Sequence, residues 1–440
     1  MICNNKWNYN PFVPADKRYE AAKPYICRLS PGRTSIDAQW LPQDGETEYK
    51  VVCKQRQGSE KITVKTNGSK VHIDGLTPYC EYIITVENSS GQVSKERLIR
   101  TGEVFGTAVN YLHPDDKAYA FSGHCLCSPS IVRLKSGTLL ASTDIFKNGF
   151  PQNLTLIYRS DDDGKSWSYV TELLPCFWGK LFEHNGVLYM LAMSTEYGDI
   201  LIGKSYDEGR NWENPSVIAR GSCFAGNGFH RAPCVFEKTD GRLWFSIEYG
   251  SWKHGGHSNG VISVDENSDL CDPKNWIISD FRPRETALSG AIEGNIIKAP
   301  DGTVINFLRY EPNKALLLKA DTKDPHKAPE FYKYVEFPAA HTKFEILRHE
   351  SGKYFAVGNE YPNRNILALY SSYDLESWRC EERIIDGSDC DPACTGFQYP
   401  SAIIEGDNIL LLSRTAFNGA CTFHDNNYCT FHRVNVRAYL

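Results

Sequence analysis

The chain has 440 residues, 41% of them apolar and 23% charged, enough to bury a core without disulfides or metals. A net charge of −6 with no long basic run argues against nucleic acid as a partner, and no apolar run is long enough to span a membrane. The 15 cysteines are scattered and odd in number, and the opening "MICNNKWNYN" lacks a charged-then-apolar leader; together these predict reduced thiols in a cytoplasmic protein, or a secreted one if a leader has been removed.

Residues 1–21 read as an extension. Residues 22–102 carry seven short strands at the spacing of a β-sandwich, and "TSIDAQWLP" alternates so that Trp40 faces inward. The stretch Leu76-x-Pro78-x-x-x-Tyr82 resembles the tyrosine corner of a fibronectin type III domain, which implies a packing or positioning module in place of a chemical one.

From residue 103 to 440 a repeat of roughly fifty residues sets in. Each unit opens with a small or aromatic residue and an apolar strand, turns on a Gly- or Asn-containing pair, and returns as a second apolar strand, as in "SPSIVRLKSGTLLAS" and "EGNIIKAPDGTVINFL". Six such units predict a six-bladed β-propeller, with residues 103–123 left open as a seventh sheet. Ser160-x-Asp162-x-Gly164-x-x-Trp167 and Ser205-x-Asp207-x-Gly209-x-x-Trp212 fit an Asp-box turn. A shortened copy ends at Trp378 and a stretched one at Trp276. In such a turn the Asp accepts backbone N–H bonds, the Gly takes positive φ and the Trp packs between sheets, so these aspartates are structural.

A propeller's site is expected at one mouth of its channel, built from the first residues of each unit and those after its second strand. Those positions hold His124 and Asp144 in unit one, Trp178 in unit two, and His230, Arg231, Glu248 and Trp252 in unit three. Unit four adds Glu293 and Arg309, and unit six adds Tyr399, Arg414, His424, Asp425 and Asn427. Arg309 and Arg414 end apolar strands, where a buried guanidinium needs a partner: either a ligand carboxylate or an internal acid such as Glu293 or Asp425. Tyr399 beside Glu293 would serve as a nucleophile, or as an aromatic lining the channel. His424 with Asp425 makes a general base, or a hydrogen-bonded closure of the last blade. His230 is a second candidate base. No metal site or cofactor is predicted: neither Cys125/Cys127 nor Cys390/Cys394 has a second pair at zinc spacing, while a structural calcium ion is left open.

Residues 105–440 resemble the sialidase-like BNR/Asp-box superfamily, by the Asp-boxes, the opening from Ser128 to Ser142 and the ending from Arg414 to Arg433. The resemblance implies a propeller that acts on glycans; relatives include exo-sialidases, propeller rhamnosidases, and lyases of rhamnosyl-glucuronate ends. It departs from sialidases twice. Their first blade opens with Arg-Ile-Pro, where this chain has Cys127-Ser128-Pro129, and the loop that carries their acid/base aspartate here offers Asp144, Asn148 and Asn153. The resemblance implies exo-cleavage of a glycosidic bond next to an acidic sugar. In that reading Tyr399, Glu293, His230, His424 and Asp425 are catalytic, and His124, Asp144, Trp178, Arg231, Trp252, Arg309, Arg414 and Asn427 bind substrate. β-Elimination at a uronate by a His base and non-catalytic glycan binding are the alternatives.

Overall fold

The computed structural model describes residue 7 and residues 23–221, 227–284 and 290–440, and within these the protein is all-β with three single-turn 3₁₀ segments. Strands Tyr25–Pro31, Ile36–Leu41 and Lys70–Ile73 form one sheet. Strands Lys61–Thr66, Tyr49–Gln55, Glu81–Asn88 and Arg97–Arg100 form a second. Alternating burial along Glu81–Asn88 and Ile36–Leu41 places Trp40 and Tyr82 in the core between them. The Tyr82 hydroxyl accepts the Thr77 N–H (2.9 Å) and donates to Glu60 (2.5 Å).

Six antiparallel sheets follow, each starting with an innermost strand. Those strands are Cys125–Arg133 in blade 1, Phe177–His184 in blade 2, Gly228–His230 continued by Glu237–Thr239 in blade 3, Ile292–Lys298 in blade 4, Glu345–Arg348 in blade 5 and Gly396–Glu405 in blade 6. Thr107–Tyr111 pairs with Tyr428–Asn435 as the outer strand of blade 6, so residues 103–123 close the ring and do not form a seventh sheet. The same strand and the turn after it anchor the sandwich: Arg28 donates to the carbonyls of Val109 (2.7 Å) and Ala108 (3.0 Å), and Arg97 pairs with Asp116 in that turn (2.6 Å), both residues buried.

The Asp-box turns form as local chemistry demands. Asp162 accepts the Ser166 N–H (2.9 Å) and Asp207 the Asn211 N–H (2.8 Å). At Gly164, φ is +86° and an added Cβ would lie 2.1 Å from the Phe431 ring, so no other residue fits. In the copy shortened by one residue, Leu375 takes the left-handed position at φ +64°. These turns join third to fourth strands and therefore lie on the face opposite the openings of the inner strands.

Polar residues inside the inner strands pin neighbouring blades. Ser130 Oγ accepts the Leu181 N–H (3.0 Å), Asn295 Oδ1 that of Ile346 (3.0 Å) and Ser401 Oγ that of Ile131 (3.3 Å). On the axis, Glu345 takes Lys343 at 2.6 Å and Lys180 at 3.1 Å, all three buried, so a paired ion triad plugs the channel.

Candidate active site

Four inner strands break register at equivalent places. Two residues of each are unmatched by the neighbouring strand: Ser128-Pro129, Trp178-Gly179, Glu293-Gly294 and Tyr399-Pro400. Such β-bulges re-aim side chains. Trp178, Glu293 and Tyr399 carry φ values of +49°, +58° and +50°, a left-handed conformation costing about 1–3 kcal/mol for a non-glycine residue. Gly294 is required behind Glu293, because a Cβ there would lie 1.9 Å from Asn306 Oδ1. Strain repeated around one mouth marks that mouth as the working face.

The bulges of blades 4 and 6 bring Tyr399 Oη to 2.6 Å from Glu293 Oε1. Arg309 Nη1 donates to the other carboxylate oxygen at 2.9 Å. Glu293 is 2% exposed. Burial pushes its carboxyl up, but Arg309, the Tyr399 hydroxyl and the nearby His230 outweigh burial and hold it below the ordinary carboxylate range. The Tyr399 hydroxyl is pushed up by burial and by Glu293, while Arg309, Arg414 and Arg364 pull against them. A phenol that donates its hydrogen bond to a carboxylate has a proton acceptor in place for nucleophilic attack, and the cations around it would stabilise the phenolate that forms.

Arg414 is buried beside this couple, its Cζ 5.0 Å from the Tyr399 ring centroid. Its Nε donates to Asn426 Oδ1 (2.8 Å), Nη2 to the His424 carbonyl (2.5 Å) and Nη1 to Cys127 Sγ (3.2 Å). The guanidinium from blade 6 thus lies against the blade 1 opening Cys127-Ser128-Pro129, where the resemblance leads one to look for an arginine. A third arginine, Arg364, is absent from the sequence-based set. It sits at φ +61° in the loop after Tyr354–Asn359, donates to Gln398 Oε1 (2.5 Å), and leaves its buried Nε without a partner. Burial, with Arg309 and Arg414 nearby, pushes its guanidinium down to about 10. Three guanidinium groups therefore act on the Tyr399 hydroxyl, and one of them, Arg309, pairs with Glu293.

His230 lies in blade 3, 3% exposed, with Nδ1 2.9 Å from Glu248 Oε2. Ser246 donates to the other Glu248 oxygen (3.1 Å). Trp178 packs edge-on against His230 at 4.3 Å and His257 lies 4.7 Å away. His424 keeps its expected partner, with Nδ1 3.1 Å from Asp425 Oδ1, while Lys147 holds the other oxygen at 2.6 Å. Arg414 is the main reason that His424 is held below its ordinary value.

Several sequence-based candidates have other work. Asp144 is 1% exposed; Thr155 donates to Oδ1 (2.6 Å) and the Trp178 N–H to Oδ2 (2.9 Å), so it ties down the blade 2 bulge. Arg231 is buried and donates to the carbonyls of Trp178 (3.1 Å) and Leu191 (3.0 Å). Asn427 clamps both backbone groups of Phe417, accepting its N–H (3.1 Å) and donating to its carbonyl (2.8 Å). Trp252 is 49% exposed at the rim, 5.0 Å from His257, and His124 packs on Phe150 at 4.8 Å. Among the described residues no group of three or more His, Cys, Asp or Glu side chains is placed to hold a metal.

A family model for a BNR repeat-like domain matches residues 181–412, over half of the chain. No protein of curated function matches it in sequence. Among solved structures, the α-L-arabinanase of Penicillium chrysogenum complexed with arabinobiose is 14% identical, with a TM-score of 0.51 over 76% of this chain and 98% of that one. The α-L-arabinofuranosidase of Fusarium graminearum with arabinobiose gives 14% and 0.50 over 76% and 98%. The leech intramolecular trans-sialidase, in a complex prepared by soaking with 3'-sialyllactose, gives 9% and 0.53 over 95% and 92%. At such identities the likeness establishes the fold, a sialidase-like β-propeller.

Proposed function

The chain belongs to the BNR repeat-like domain family, and from that premise we propose that it is an exo-acting glycoside hydrolase for a glycan end that carries an anionic sugar. The observation that carries the reading is the Tyr399–Glu293–Arg309 chain of hydrogen bonds, 2.6 and 2.9 Å long, inside a cluster of three arginines. Tyr399 attacks the anomeric carbon as its proton passes to Glu293, forming a glycosyl-tyrosine that water then hydrolyses. Splitting the reaction this way replaces one hard step with two easier ones. Of the three arginines only Arg309 is ion-paired with a carboxylate, Glu293, and a carboxylate on the sugar would balance the surplus positive charge through paired, charge-assisted bonds. That Penicillium and Fusarium propellers bind arabinobiose and the leech propeller a sialyllactose product supports a glycan as ligand.

The test is a release screen with sialyllactose, a rhamnosyl-glucuronate disaccharide and arabinobiose. Release of a sialate or uronate supports the reading. Release of arabinose alone removes its anionic part. Ultraviolet absorbance from an unsaturated uronate replaces hydrolysis with elimination. Ligand-induced thermal stabilisation without turnover leaves a glycan-binding propeller.

A further inference from the structure

A tyrosine–glutamate couple supplies a nucleophile but no proton for the departing sugar oxygen. We propose that His230, oriented by Glu248, is the acid–base residue of this site. The proposal rests on the glycosidase reading above.

Four carboxylates around the mouth are committed elsewhere. Glu293 holds Tyr399 and Arg309. Asp144 is sealed in, and Asp425 is shared between Lys147 and His424. Glu345 is held by two buried lysines. Besides His124, which packs on Phe150, four histidines lie at or near the mouth among the described residues, and their surroundings differ. His424 lies against the Arg414 guanidinium, with ring nitrogens 3.4 Å from Nη2, which disfavours a proton on it. His341 is held low by burial, with Arg309 and Arg364 adding to it. His257 is held at about 2 by burial and by His230.

His230 alone of the four hydrogen-bonds a buried carboxylate that no cation holds. Glu248 receives its Nδ1–H at 2.9 Å and can do so whether the ring is neutral or charged. Nε2 makes no hydrogen bond to a described residue, and Glu293 lies within electrostatic reach of the ring. Glu248 also accepts the Gly294 N–H at 3.5 Å, so the His230–Glu248 pair sits beside the bulge that carries Glu293. The ring plane is fixed by Trp178, itself set by the blade 2 bulge, and by His257. Both His257 nitrogens are buried without partners, leaving hydrogen-bonding capacity at the wall for a departing hydroxyl or an incoming water.

The steps balance. In the first, the bond from the anomeric carbon to the leaving oxygen breaks with its electron pair going to oxygen, which takes the Nε2 proton. Tyr399 Oη bonds to the carbon and its own proton goes to Glu293. In the second, water oxygen bonds to that carbon and gives one proton to His230 Nε2, while Tyr399 Oη leaves and regains its proton from Glu293. Glu248 stays ionised and orients the ring.

The test compares leaving groups. The sugar that the wild-type protein releases in the screen is presented as its para-nitrophenyl glycoside, which departs without a proton, and as its methyl glycoside, which needs one. For His230→Ala, kcat/KM on the methyl glycoside is expected to fall by about 10²–10⁴-fold and on the aryl glycoside by less than about tenfold. Tyr399→Phe is expected to lose both. Equal losses on the two glycosides in a His230→Ala protein that melts like wild type, or no loss on either, would overturn the acid–base role. If His230→Ala does not fold, Glu248→Gln carries the test, with a smaller but equally uneven loss expected and an even loss overturning the proposal. Turnover of neither glycoside by wild type overturns the glycosidase reading itself, and this role with it.

Discussion

Tyr399 and Glu293 meet at 2.6 Å although 106 residues separate them, because each occupies a left-handed backbone position on a bulge of its own inner strand. Neither conformation is the lowest in energy for its residue type, and the hydrogen bond between them exists only if both bulges form. Tyr399→Phe is expected to reduce turnover by on the order of 10⁴-fold or more, and Glu293→Gln similarly. Because the two act as one unit, the double variant should be little worse than either alone. Single-turnover kinetics of the three variants checks this; losses that multiply would mean the two residues work separately.

Arg364 leaves Nε buried and without a partner, and its charge is disfavoured by burial and by two neighbouring arginines. An anionic ligand relieves all of these at once. Arg364→Ala is expected to weaken a carboxylate-bearing ligand by about 10–100-fold, the worth of one charge-assisted hydrogen bond, and to leave a neutral analogue within about threefold. Calorimetric titration with a uronate or sialate and its methyl ester measures the difference. Equal weakening of both would remove the carboxylate clamp.

What could be read from the chain, and what could not, follows from the range of the forces involved. The Asp-box turns were legible because Asp162, Gly164 and Trp167 satisfy their needs within a few residues. Tyr399, Glu293, Arg309 and His230 were legible because a polar residue opening or ending an apolar strand calls for a distant partner. Arg364 was missed because "EYPNRN" reads as a surface turn; its burial comes from contact with Gln398, a blade away. Another signal went unused: Ser128, Trp178, Glu293 and Tyr399 are each followed by Pro or Gly at the same place in a unit, the mark of a repeated bulge. Asp144 and Asn427 show the limit. A polar side chain in a strand needs a partner, but whether that partner is a ligand or a neighbouring backbone depends on register.

Asn427 is buried and bridges both backbone groups of Phe417, so its role is to hold the last loop of blade 6. Asn427→Ala is expected to lower unfolding free energy by roughly 1–3 kcal/mol, since it leaves two half-buried backbone groups without their side-chain partner. Ligand affinity of the protein that remains folded should stay within about threefold. Urea unfolding with and without ligand separates the two effects; a large affinity loss at unchanged stability would return Asn427 to the substrate contacts.

Burial raises the Asp144 carboxyl from 3.8 to about 8, against hydrogen bonds from Thr155 and the Trp178 N–H that favour its ionised form. An acid whose folded value lies above its unfolded one stabilises the fold fully below the unfolded value, and that contribution is lost as pH rises toward the folded value. Over pH 4 to 8 this group alone should therefore make stability fall with pH, by at most about 1.4 kcal/mol per unit. Asp144→Asn removes the titration and keeps the shape: the amide oxygen accepts the Trp178 N–H, and Thr155, which also donates to the Cys176 carbonyl (3.0 Å), can accept from the amide nitrogen. Subtracting the variant's pH–stability curve from that of wild type isolates the group. The variant is expected to gain on wild type steadily from pH 5 to 8, and a flat difference would mean that Asp144 is ionised in the folded protein.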